Sequence, residues 1–121
     1  ATDHAPHTAA EKDVEFEDAP FGILGLETSL ALGVTGLVKP GHITLERLIE
    51  LMTAAPAAIL GLEAGVLREG GPADVTVFDP EEEWTVDPET FESNSRNTPF
   101  ADYQLRGRVR YTFVDGAMVY S

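Results

Sequence analysis

The hydrophobic period of this chain changes once, near Glu63, and that change limits what it can fold into. Before it, Leu26, Leu30, Val34 and Leu37 recur at helical spacing and predict one buried helix face. After it, Ala73, Val75 and Val77 alternate with Asp74, Thr76 and Phe78, as they would in a strand. Helices followed by strands give the chain, taken alone, an α+β character. Two units are expected, residues 1–62 and 63–121.

Local signals sharpen this division. Residues 23–62 are expected to be helical, with Pro40-Gly41 ending the first helix. Thr44 is placed as the N-cap of the next, with Ile43 and Leu48 spaced for a hydrophobic staple. Leu45, Leu48, Ile49 and Met52 form its apolar stripe. Pro56 suits the first turn of a third helix, and Gly61 suits its left-handed exit. In the second unit Gly70-Gly71-Pro72 is a turn, and Glu83 to Val86 reads as a second short strand. A helical turn is expected near Pro88 to Phe91. Asp115-Gly116 predicts a tight type I′ hairpin between Val109–Val114 and Ala117–Tyr120. About four short strands cannot close a barrel or complete a sandwich, so their edges call for further polypeptide.

Charge excludes some partners. Acidic residues outnumber basic ones 21 to 8, a formal net charge of −13, which repels nucleic acid and anionic membranes. Residues 1–22 are expected to form an acidic solvated loop, with Glu11, Asp13, Glu15, Glu17 and Asp18 and no calcium-loop spacing. The absence of cysteine excludes disulfides and thiolate ligands and fits a cytoplasmic setting. The apolar run from Ile23 to Val38 carries Glu27, Thr28, Ser29 and three glycines, which suits a buried helix better than a membrane span. Arg106, Arg108 and Arg110 are expected to form a solvated stripe, and Glu81-Glu82-Glu83 an exposed turn. His42 is expected in a loop, and Trp84 and Phe100 in packing.

The chemistry concentrates in Thr2-Asp3-His4-Ala5-Pro6-His7, which sets a carboxylate and two imidazoles in one loop. Such groups bind divalent metals and move protons at neutral pH. Spacing alone is equally compatible with an ordinary structural loop. A hydrolytic metal centre gathers ligands from several distant segments, so the chain is expected to be the last piece of an enzyme.

The hexapeptide is followed by Pro20-Phe21-Gly22-Ile23-Leu24-Gly25-Leu26-Glu27-Thr28, then Pro56-Ala57-Ala58-Ile59-Leu60-Gly61-Leu62. Next come Gly71-Pro72-Ala73-Asp74-Val75-Thr76-Val77-Phe78-Asp79, Ser95-Arg96-Asn97-Thr98-Pro99-Phe100 and the Asp115-Gly116 hairpin. In this order they resemble the C-terminal part of the dihydroorotase family, within the amidohydrolase superfamily. The resemblance implies an α/β fold, a TIM barrel with a zinc centre and a small β-sandwich. Residues 1–62 would be the end of the barrel and 63–121 part of the sandwich. It also implies reversible hydrolysis of the cyclic amide of dihydroorotate to N-carbamoyl-L-aspartate, in pyrimidine biosynthesis. Asp3 matches a metal-binding aspartate that also carries the proton. His7, Phe21 and Gly22 match substrate-binding positions, and His4 falls to a supporting hydrogen bond. The remaining metal ligands lie outside this sequence, so zinc binding and activity of the chain alone are not expected. Dihydropyrimidinase and allantoinase are the related alternatives, against which the second histidine argues. A non-catalytic module completing a partner's barrel is the other. The implied partners are the rest of the enzyme, further copies in a homo-oligomer, and aspartate carbamoyltransferase.

Overall fold

Asp115 and Gly116 both take positive φ, 49° and 75°, as a type I′ turn requires. They fold β3 (Ala117–Tyr120) back onto β2 (Gln104–Val114) in the computed structural model, which describes residues 2–121. Ala1, the first residue of the expected acidic loop, lies outside the described residues. On its other side β2 pairs antiparallel with β1 (Val75–Thr85), giving a three-stranded sheet in the order β1-β2-β3.

The two strands expected at Ala73–Phe78 and Glu83–Val86 are therefore one strand plus its first following residue. Between Asp79 and Glu83 the register jumps, so Pro80, Glu81 and Glu82 bulge opposite Gly107. The bulge also corrects the expected exposed glutamate turn and solvated arginine stripe, which meet across the ladder. Arg106 reaches Glu83 at 2.6 Å and Glu81 at 3.0 Å, and Arg110 reaches Glu82 at 2.6 Å. Opposite charges so placed cancel the like-charge repulsion that each run would suffer alone. Arg108 lies 5.5 Å from the centre of the Trp84 ring.

The first unit is less helical than its periodicity predicts. α1 (Ala9–Lys12) is a single turn inside the acidic loop. α2 (Ser29–Gly33) starts six residues later than expected and continues as a π-helix over Val34–Val38. Leu26 and Leu37 are consequently 62% and 43% exposed, and the buried face is Ala31, Gly33 and Val34. α3 (Leu45–Met52) is capped by Thr44, whose hydroxyl accepts the Arg47 N–H at 3.2 Å. Only Leu48 of its stripe is buried, while Ile49 and Met52 are exposed. α4 (Ala54–Leu60) has Pro56 in its first turn and leaves through Gly61 at φ 67°. The expected turn at Pro88–Thr90 is a 3-10 helix.

One core joins both units. Leu24, Ala31, Val86, Phe91 and Leu105 are buried together, with Leu32, Trp84 and Phe100 packed against them. Burying a side chain such as Val86 contributes about 1.5–3 kcal/mol. The cluster sets residue 24, two positions after Gly22, against the sheet, and so anchors the loop that follows the hexapeptide.

Candidate functional site

The hexapeptide is laid beside residues 21–26 as a short parallel bridge. His4 pairs with Ile23, and the Ala5 N–H donates to the Ile23 carbonyl at 2.9 Å. His4 Nδ1 accepts the N–H groups of Gly25 at 3.2 Å and Leu26 at 3.4 Å. An imidazole that accepts at Nδ1 is unprotonated there, and His4 so placed braces the Gly25–Leu26 backbone. The approach is close. A Cβ on Gly22 would stand 2.4 Å from Ala5 Cβ, and Gly22 has φ 105°.

His7 joins three segments. Its backbone N–H donates to Ser95 Oγ at 3.1 Å and Asn97 Oδ1 at 3.2 Å. Its Nε2 lies 3.0 Å from the Phe21 carbonyl oxygen, which can only accept, so that nitrogen carries the proton. Nδ1 is 4.0 Å from Glu11. Glu11 also closes a capping box with Thr8. Hydrogen bonds from the Thr8 backbone, then from its hydroxyl, hold the Glu11 carboxyl below the usual carboxylate range.

The loop Pro20–Gly22 is held by its carbonyls. Lys12 Nζ donates to Pro20 O at 2.6 Å and Gly22 O at 2.8 Å, and Asn97 Nδ2 donates to Gly22 O at 3.4 Å as well as to Ala5 O at 2.9 Å. The N–H groups of Phe21 and Gly22 have no acceptor among the described residues. The Phe21 side chain is 96% exposed. The result is an anchored strip of backbone that presents two free donors and an aromatic face, a surface suited to a small planar polar molecule.

Of the positions singled out in the sequence, His7, Phe21 and Gly22 are thus brought together. Asp3 is exposed, its carboxylate makes no hydrogen bond among the described residues, and it takes φ 47°, a left-handed conformation that few side chains adopt. No group of three or more His, Cys, Asp or Glu residues able to hold a metal occurs among the described residues. Ser95, Asn97 and Lys12 carry much of the geometry without having been assigned a role from sequence. The one available signal was Lys12, the only lysine or arginine in the first 38 residues.

Similarity to known proteins follows the same outline. The amidohydrolase family model matches residues 24–120. Dihydroorotase from Clostridioides difficile is 52% identical over 121 residues, all of this chain and 28% of that protein. Dihydroorotase from Lactococcus lactis is 51% identical over 120 residues, again 28% of its length. Dihydropyrimidinase from Brevibacillus agri superimposes with a TM-score of 0.90 at 27% identity, covering 98% of this chain and 27% of that one. L-hydantoinase from Arthrobacter aurescens gives 0.80 at 36% identity, over 87% of this chain and 24% of that one. The chain therefore spans little more than a quarter of the relatives it matches. It belongs to the amidohydrolase family.

Proposed function

We propose that this segment forms one side of the active site of a zinc-dependent dihydroorotase. The reaction is the reversible hydrolysis of the cyclic amide of (S)-dihydroorotate to N-carbamoyl-L-aspartate. Water adds its oxygen to the ring carbonyl carbon, the C–N bond breaks, and the ring nitrogen gains a proton. The observation that carries the assignment is the 51–52% identity to dihydroorotases along the whole chain, against 27% and 36% to the dihydropyrimidinase-type structures. The anchored Phe21–Gly22 strip supports it, because a small ring bearing carbonyl and carboxylate oxygens matches its two free N–H donors.

In this assignment Asp3 takes a proton from the attacking water and returns it to the leaving nitrogen, as an exposed carboxylate with no internal partner is free to do. His7 and the Phe21–Gly22 backbone hold the substrate. Zinc does not fit this chain alone, because a metal needs several donors and the described residues gather no group of three. Asp3 would be one ligand, with the others supplied by polypeptide outside residues 2–121. Residues 1–62 would belong to the end of a TIM barrel and 63–121 to a β-sandwich. The wholly exposed run from Gly61 to Gly70 supports a boundary there. The exposed Ile59, Leu60, Leu62 and Leu67 support cover by further polypeptide.

The test is turnover by the full-length enzyme that carries this segment, offered dihydroorotate, dihydrouracil and allantoin in parallel. Only dihydroorotate should be opened, and Asp3→Asn should lower kcat by on the order of 10²–10⁴. Preferential opening of dihydrouracil or allantoin would overturn the assignment.

A further inference from the structure

Lys12 stands among carboxylates and pairs with none of them. It is the only lysine or arginine in the first 38 residues, and Asp3, Glu11, Asp13, Glu15, Glu17 and Asp18 share its segment. Yet no carboxylate lies within ion-pairing distance of its ammonium among the described residues. The charge is directed instead at two backbone carbonyls, Pro20 O at 2.6 Å and Gly22 O at 2.8 Å. Its position is built: the Thr8–Glu11 capping box folds the single turn of α1, and Lys12 is the last residue of that turn.

The two gripped peptides next to Phe21 are informative. The Pro20 carbonyl belongs to the same peptide unit as the Phe21 N–H, and the Phe21 carbonyl to the same unit as the Gly22 N–H. Lys12 holds the first carbonyl and His7 Nε2 the second, at 3.0 Å. Both N–H groups are without an acceptor among the described residues. A donor on a carbonyl fixes the plane of its peptide and polarises it, which strengthens the N–H at the other end. Charge-assisted bonds of this length are about twice as strong as neutral ones.

We propose that Lys12 is a positioning residue for substrate binding. By holding the Pro20 and Gly22 carbonyls it orients the Phe21 N–H as a donor toward an oxygen of the substrate. This rests on the dihydroorotase assignment and adds a residue to it. Lys12 touches backbone and not substrate, so its effect falls on affinity and leaves the proton transfer at Asp3 intact.

The experiment compares Lys12→Met, Lys12→Gln and Lys12→Arg with wild type in the full-length enzyme, measuring kcat and KM for dihydroorotate alongside thermal midpoint and bound metal. Lys12→Met should raise KM about tenfold with kcat changed less than about threefold. Lys12→Gln should raise it severalfold. Lys12→Arg, which keeps the charge and can still donate to two carbonyls, should stay within about twofold of wild type. If Lys12→Met does not fold, the Gln and Arg pair decides the matter by the same split. An unchanged KM in the neutral variants, or an Arg variant as impaired as they are, overturns the Lys12 assignment alone. A wild type that leaves dihydroorotate closed overturns the functional assignment and this one with it.

Discussion

Gly107→Ala should be one of the most damaging single-methyl additions to this chain, through two separable costs. Gly107 lies within β2 opposite the β1 bulge, at φ 93°, where an L side chain is strained by about 1–3 kcal/mol. The second cost is steric. A Cβ there would stand 3.0 Å from Val34 Cγ2 and 3.2 Å from Val34 Cβ, and Val34 is buried and β-branched, so it cannot rotate away cheaply. Overpacking of this kind costs about 1–3 kcal/mol, for a combined loss of about 4 kcal/mol. Val34→Ala removes the Cγ2 contact at 3.0 Å, keeps the Cβ contact at 3.2 Å, and leaves the backbone angle untouched. In that background Gly107→Ala should cost the strain and only a residual steric term, leaving a coupling of about 1 kcal/mol or more between the sites. Urea unfolding followed by Trp84 fluorescence is a direct assay, since the indole N–H donates to the Gly107 carbonyl at 3.3 Å. A loss below about 1 kcal/mol, or an equal loss in both backgrounds, would refute the reasoning.

The depressed Glu11 carboxyl gives a pH dependence with a fixed sign. A carboxylate whose folded pKa is lowered contributes stability above its unfolded pKa, and that contribution is lost as pH falls through the folded value. The α1 turn should therefore loosen on acidification, and Thr8→Ala, which removes the hydroxyl bond and keeps the backbone one, should return the Glu11 titration, followed by NMR, only part of the way to the ordinary carboxylate range. An unshifted Glu11 in wild type would contradict this. Zinc titrated into residues 1–121 alone should show no tight stoichiometric site, since Asp3 is one carboxylate without companions among the described residues. A tight one-to-one isotherm in calorimetry would count against the shared-site assignment.

What the sequence made legible was the structure fixed by a few neighbouring residues. The Asp115-Gly116 hairpin, the Thr44 cap and the Gly61 exit each follow from local backbone chemistry, and each is observed. The apolar rows misled where the backbone departs from α-helix, as with Leu26 and Leu37, which periodicity alone assigns to a buried face but which lie before α2 and in the π-helix. The merged β1 strand was hidden because Pro80 and three glutamates resemble a turn until Arg106 and Arg110 are set opposite them. In the candidate site the structure brings His7, Phe21 and Gly22 side by side, and all three were singled out by resemblance. Ser95, Asn97 and Lys12 were not, because they act on backbone groups, which leave no pattern in side-chain chemistry.

The brace on His7 also sets an order of events during synthesis. Asn97, which accepts the His7 backbone N–H, lies 90 positions downstream. At about 5–20 residues per second, a ribosome exposes the hexapeptide roughly 5–20 s before that acceptor exists. Through that interval the His7 backbone N–H lacks both of its native acceptors, Ser95 and Asn97, and the stretch is held by residues 21–26 alone. The hexapeptide thus gains its brace from Asn97 after β1 has been made and before β2 and β3 exist.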